Sequence, residues 1–114
     1  MKIKVGEHII LELIGVDEKL LSSEKFFKKV LINAAKKSKL KVLKIVYHKF
    51  NPIGLTAVAL LKQSHITIHT FPEYKYVACD IFSCGNTNVE EAAKYVIKKL
   101  KPKKTRKIKI KRGF

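Results

Sequence analysis

The fold class this sequence predicts is an α+β two-layer sandwich: a mainly antiparallel sheet with two helices on one face. Three observations predict it. Six segments have the composition or alternation of strands and two have helical periodicity, in the order β-α-β-β-β-β-α-β. Several connections between strand segments span only a few residues, too short for a parallel crossover. The 114 residues, 46% of them hydrophobic, suffice for one domain with a modest core, and no repeat or linker interrupts the series.

The elements follow in order. Residues 7–15, EHIILELIG, read as a strand that Gly15 ends. Residues 22–38 place Phe27, Val30, Leu31 and Ala34 at helical spacing, with Ser22 or Ser23 as the N-cap and lysines at the far end. Residues 40–50, LKVLKIVYHKF, are rich in strand formers and stop at Asn51-Pro52. GLTAVALLK, residues 54–62, is a further apolar strand. SHITIHT, residues 64–70, alternates strictly until Pro72, and YKYVACDIFS, residues 74–83, closes at Cys84-Gly85. Thr87 and Glu90 have the spacing of a capping box ahead of the stripe Val89, Ala92, Ala93, Val96, Ile97 and Leu100, and Pro102 ends that helix. Lys107 to Lys111 alternate with isoleucine, which predicts a last strand whose lysines point outward and guard an edge.

One strand carries a further expectation. Ile66 and Ile68 share the face predicted to meet the helices, and His65, Thr67 and His69 share the other. A sheet face with two histidines is either solvated or covered by something polar. A second sheet from a partner subunit would be such a cover.

Charge narrows the classes. The net charge is +16, and residues 98–114 hold ten basic residues and no acid. Such a segment suits a polyanion, yet no aromatic interleaves the lysines to stack on bases, so the reading is a solvated basic face. A non-catalytic nucleic-acid-binding domain stays as the alternative from a different class. No apolar run approaches the roughly 18–20 residues of a membrane span, and the first residues lack a secretory pattern. Cys79 and Cys84 make no disulfide framework, so a reducing cytoplasm is the expected compartment.

Reactive side chains concentrate in residues 64–85, SHITIHTFPEYKYVACDIFSCG. Zinc is excluded on geometry for His65 and His69. Four residues along a strand separate them by about 13 Å, beyond the reach of metal bonds near 2.0–2.3 Å. Ser64 lacks the Gly-x-Ser-x-Gly setting of a hydrolase nucleophile, and no glycine-rich phosphate loop is present.

Taken together, SHITIHTFPEYKYVACDIFSCG resembles the signature of the bacterial and archaeal S-adenosylmethionine decarboxylases, which are pyruvoyl enzymes. The likeness extends to GEHIILELIGVD, to YHKFNPIGLTAVALL and to the closing KRG, and so covers nearly the whole chain. Composition and periodicity alone support only a basic α+β domain.

The resemblance implies a proenzyme that cuts itself between Gln63 and Ser64, leaving a β chain of residues 1–63 and an α chain of residues 64–114. Ser64 is implied as the precursor of the pyruvoyl group that forms a Schiff base with the substrate. His69 is implied as the proton acceptor in processing and Cys84 as the proton donor in decarboxylation. For binding S-adenosylmethionine, Phe50 and Phe71 are implied to stack on adenine and Glu73 to hold the ribose. No metal is implied. A homodimer of αβ protomers is expected, the product serving as aminopropyl donor for spermidine. Gln63, Phe71 and Ser83 stand where the family commonly has glutamate, tryptophan and threonine, and Thr56 where a serine assists processing. Ser64 and His69 have opposite parity, which predicts an irregular strand start at Ser64. Some relatives decarboxylate arginine or ornithine with the same machinery, and the sequence leaves that alternative open.

Overall fold

The computed structural model describes residues 2–85 and 87–114. Its main elements are β1 (Lys4–Ile14), α1 (Glu24–Lys37), β2 (Val42–Lys49), β3 (Leu55–Leu61), β4 (Ser64–Phe71), β5 (Tyr76–Cys84), α2 (Val89–Leu100) and β6 (Lys104–Gly113). Short 3-10 turns cover Glu18–Leu20 and Pro72–Tyr74. The six strands form one sheet in the order β2-β3-β4-β5-β1-β6, and every neighbouring pair is antiparallel. The expected α+β sandwich is thus observed.

Period-two alternation decides which sheet face meets the helices. Ile9, Leu11 and Leu13 of β1, Leu55, Ala57, Ala59 and Leu61 of β3, Ile66 and Ile68 of β4, and Val77, Cys79 and Ile81 of β5 are all buried. They pack with Phe27, Val30 and Leu31 of α1 and with Val89, Ala92, Ala93, Val96 and Leu100 of α2 in one core. Each fully buried leucine, isoleucine or phenylalanine contributes about 1.5–3 kcal/mol relative to exposure. Burial also pushes the Cys79 thiol far above its ordinary range, so this cysteine is an inert core group. The other face of the sheet is open, with His65 and Thr67 half-buried and His69 exposed, as the alternation predicts.

Ser23 is the cap of α1, its hydroxyl accepting from Phe26 N at 3.1 Å. One local expectation is corrected. The Thr87–Glu90 capping box does not form: α2 has Asn88 at the N-cap without a side-chain bond. Thr87 bonds Ser83 across the preceding turn, and Glu90 reaches Lys107 and Lys109 on β6. Thr87 engages Ser83 four residues back, and Glu90 engages lysines far along the chain, in place of the local cap.

The last strand is corrected as well. All of β6 is exposed. Its register pairs Ile108 with Ile10 and Ile110 with His8, which puts both isoleucines on the open face. Lys107 and Lys109 turn instead toward the helix side. No helix among the described residues is long and apolar enough to cross a membrane.

Candidate active site

Strand ends organise the site. Leu61 pairs with Ser64, so Lys62 and Gln63 form a two-residue turn and the Gln63–Ser64 peptide lies at its exit. Ser64 starts β4 in register with both neighbouring strands, and the irregular start expected there is absent. Beside it, the Cys84 N–H donates to the Gln63 carbonyl oxygen at 3.2 Å. That donor is aimed where negative charge would develop if the carbonyl were attacked.

The Ser64 side chain turns toward the helices and is 8% exposed. Its hydroxyl donates to Ser83 Oγ at 2.7 Å, and Ser83 Oγ in turn bonds Thr87 Oγ1. Cys84, one residue on, has the opposite parity and faces the open side, half-buried. Gly6 of β1 pairs with Cys84. A Cβ at Gly6 would collide with the Ser83 carbonyl and lie 2.9 Å from Cys84 Cα, so only glycine lets β1 approach this peptide.

The remaining expected residues gather at the other end of the same strands. Thr56 pairs with His69, and Thr56 Oγ1 lies 3.0 Å from His69 Nδ1 on the open face. Phe71 is 40% exposed and packs on Tyr76 with ring centroids 5.5 Å apart. Phe50, also exposed, closes the β2–β3 turn by donating from its N–H to Gly54 O at 3.0 Å. Glu73 sits exposed in the Pro72–Tyr74 turn.

The structure therefore brings Gln63, Ser64 and Cys84 together at one end, and Phe50, Thr56, His69, Phe71 and Glu73 at the other. Ser64 and His69 lie five residues apart on a regular strand, so about 17 Å separates them, and their side chains occupy opposite faces.

Between the two ends lies a cluster that the sequence reading missed. Asp80 Oδ1 is 3.2 Å from His8 Nε2 and 3.3 Å from His65 Nε2, and Asp80 Oδ2 accepts from Thr67 Oγ1 at 2.5 Å. His8, His65 and Asp80 offer three possible metal-ligand atoms within 4.8 Å of one another. The donor logic argues against that use. The Arg112 guanidinium, which can only donate, lies 3.2 Å from His8 Nδ1. Nδ1 must accept, the ring proton then sits on Nε2 toward Asp80, and no lone pair is left there for a metal. The available signal in the sequence was Asp80 itself, a lone acid in the otherwise apolar run VACDIF.

Tyr76 and Glu12 were also missed. The Tyr76 hydroxyl donates to Glu12, and burial together with that bond pushes its pKa up to about 12. Tyr76 is thereby held as a neutral, oriented wall behind Phe71.

Comparison with known proteins finds relatives over nearly the whole chain. The family model for S-adenosylmethionine decarboxylase matches residues 7–113. The S-adenosylmethionine decarboxylase proenzyme of Picrophilus torridus is 41% identical over 114 residues, spanning 99% of this chain and 88% of the relative. The proenzyme of Methanococcus maripaludis is 43% identical over 112 residues, spanning 97% of this chain and 92% of the relative. The crystal structure of the adenosylmethionine decarboxylase from Aquifex aeolicus superposes with a TM-score of 0.90 at 34% identity, covering 97% of this chain and 92% of that one.

Proposed function

The chain belongs to the S-adenosylmethionine decarboxylase family, and on that premise we propose that it cuts itself between Gln63 and Ser64 and then decarboxylates S-adenosylmethionine. The observation that carries this reading is the Gln63–Ser64 peptide itself. Its carbonyl already holds the Cys84 N–H at 3.2 Å, and a buried serine hydroxyl follows it directly.

Cleavage starts when Ser64 Oγ bonds to the Gln63 carbonyl carbon. The Cys84 N–H stabilises the oxyanion, and breaking the C–N bond leaves an ester. Removal of the Ser64 Cα hydrogen then expels Gln63 as a carboxylate. Hydrolysis of the resulting dehydroalanine releases ammonia and leaves a pyruvoyl group on residue 64, with residues 1–63 and 64–114 as the two chains.

His69 suits the Cα hydrogen chemically, because histidine is the side chain most often used to accept a proton as a general base. Within one chain it lies too far away and on the wrong face. A second copy resolves this. The open faces of two sheets, packed about a twofold axis near Asp80, lay the His69 end of one copy over the Ser64 and Cys84 end of the other. Exposed Val46, Leu60, Phe71, Ile108 and Ile110 give that face apolar area to bury. The surface of the single chain, 7425 Å², exceeds the value of about 6,300 Å² expected for a monomer of its mass. The proposed assembly is a homodimer with two sites between its sheets.

The residues present fit a pyruvoyl group at position 64: its precursor serine begins a strand at a hairpin tip, where a new N-terminus can separate without breaking the sheet. Such a group supplies a carbonyl that binds the substrate amine and accepts electrons as carbon dioxide leaves. The Cys84 thiol, facing the open side beside this position, returns a proton to the substrate α-carbon. Phe50 and Phe71 flank the adenine, whose sulfonium neighbour favours aromatic faces, and Glu73 accepts the ribose hydroxyls. The product would serve as the aminopropyl donor for spermidine synthesis.

Mass spectrometry of the purified chain tests the reading. Two fragments divided between Gln63 and Ser64 are expected, the shorter blocked by a carbonyl, with Ser64→Ala remaining whole. Carbon dioxide should be released from S-adenosylmethionine and not from arginine or ornithine. An intact parent chain after prolonged warming would remove the basis of the reading.

A further inference from the structure

We propose that Ser83 is a catalytic residue for self-cleavage and Thr87 its positioning residue, the two forming a hydroxyl relay that draws the proton from Ser64 as it attacks Gln63. The inference rests on the self-cleavage reading above. Its warrant is the chain of contacts behind the peptide bond. Ser64 Oγ donates to Ser83 Oγ at 2.7 Å, and Ser83 Oγ contacts Thr87 Oγ1 closely.

Among the described residues no carboxylate or imidazole bonds the Ser64 hydroxyl, and its only polar side-chain partner is Ser83. Ser83 is itself buried, 1% exposed. A buried serine with two hydroxyl neighbours keeps a hydrogen-bonded orientation, and here that orientation presents an acceptor to the nucleophile. Thr87 lines a surface groove with Gly6, Glu7, Gly85 and Lys111. The relay therefore runs from a buried hydroxyl to a groove open to solvent.

The proton balance closes. As the O–C bond to Gln63 forms, the Ser64 proton passes to Ser83 Oγ, the Ser83 proton passes to Thr87 Oγ1, and Thr87 releases its own to the groove. When the C–N bond breaks, the freed Ser64 nitrogen takes up one proton from water. Ester formation thus consumes no net proton and requires no oxidant or cofactor. It also explains the displaced cap of α2: Thr87, which has the sequence spacing of a capping residue, is engaged behind the cleavage site.

The two stages of processing make the proposal testable. Freshly synthesised parent, Ser83→Ala, Ser83→Thr and Thr87→Val chains are followed by mass spectrometry, with and without hydroxylamine, after circular dichroism has verified folding. Loss of Ser83 impairs ester formation, so cleavage of Ser83→Ala should slow by about 10²-fold, and hydroxylamine should not restore it. Ser83→Thr keeps the hydroxyl and should recover most of the rate. Thr87→Val, nearly isosteric, should slow cleavage about tenfold, and it decides the matter if Ser83→Ala does not fold. Parent-like cleavage in the folded variants, or rapid build-up of a hydroxylamine-sensitive ester in Ser83→Ala, would overturn the relay. A parent chain that never cleaves would instead overturn the self-cleavage reading beneath it.

Discussion

Ser64 and His69 sit on one regular strand yet face opposite sides of the sheet, Ser64 bonded to Ser83 among the helices and His69 to Thr56 on the open face. No side-chain rotation joins them, since about 17 Å of strand lies between. In the dimer proposed above, the histidine acting on Ser64 would come from the second copy. Co-expression of a His69→Ala chain with a Ser64→Ala chain tests this directly. The His69→Ala chain should be cut in the mixture, where the partner supplies the imidazole, and should stop at the ester when expressed alone. If it stays uncut in verified heterodimers, His69 acts within its own chain and the twofold arrangement is wrong.

Substitution of Cys84 is expected to separate processing from turnover. Its N–H holds the Gln63 carbonyl, and a substitution of the side chain leaves that N–H in place. Cys84→Ala should therefore cleave at close to the parent rate while turnover falls by about 10²–10⁴-fold, the usual worth of a general acid. Near-normal carbon dioxide release from the cleaved variant would assign the proton donor elsewhere.

Gly6 should be intolerant of any side chain. A Cβ there meets the Ser83 carbonyl carbon at 2.8 Å, and the backbone of β1 or β5 must yield. Overpacking of this kind costs about 1–3 kcal/mol, and each kcal/mol lowers the melting temperature by about 4–8 °C in a domain near this size. Gly6→Ala should melt correspondingly lower and also cleave more slowly, because Cys84 N–H shifts with the strand. A Gly6→Ala protein with the parent melting temperature would show that the close approach is not needed.

The Glu90 cluster predicts how stability responds to acid. Hydrogen bonds from Lys107 hold the Glu90 carboxyl below its usual value of 4.5, with Lys109 adding to the effect. A carboxyl depressed in the folded state stabilises above its unfolded pKa, and that contribution is lost as pH falls through the lower folded value. Lys109, raised by bonds to Glu7 and Glu90, has the opposite sign: its share is complete below its ordinary 10.5 and lost above it. Urea midpoints measured between pH 7 and pH 3 should fall further for the parent than for Glu90→Gln. The difference should be modest and shrink with salt, since these groups are solvent-accessible. Equal losses in both proteins would show that β6 is not held to α2 by this charge pairing.

The sequence by itself determined the α+β class, the order of elements and the two faces of β4. These are local properties: a period of two sends Ile66 and Ile68 one way and His65 and His69 the other, whatever the strand pairs with. It also marked Ser64, His69 and Cys84, through a motif contiguous along the chain. Only the tertiary structure decided which of these residues meet. The Cys84 N–H reaches Gln63 because β5 runs antiparallel to β4 in a register that sets Ser83 against Ser64, a relation between residues 19 apart in sequence. Asp80 collects His8 from 72 residues away by the same kind of pairing. Lys107 loses its outward direction because Glu90, 17 residues away in sequence, draws it to the helix side. Ladder register is set by the whole core at once, so no short window of sequence contains it.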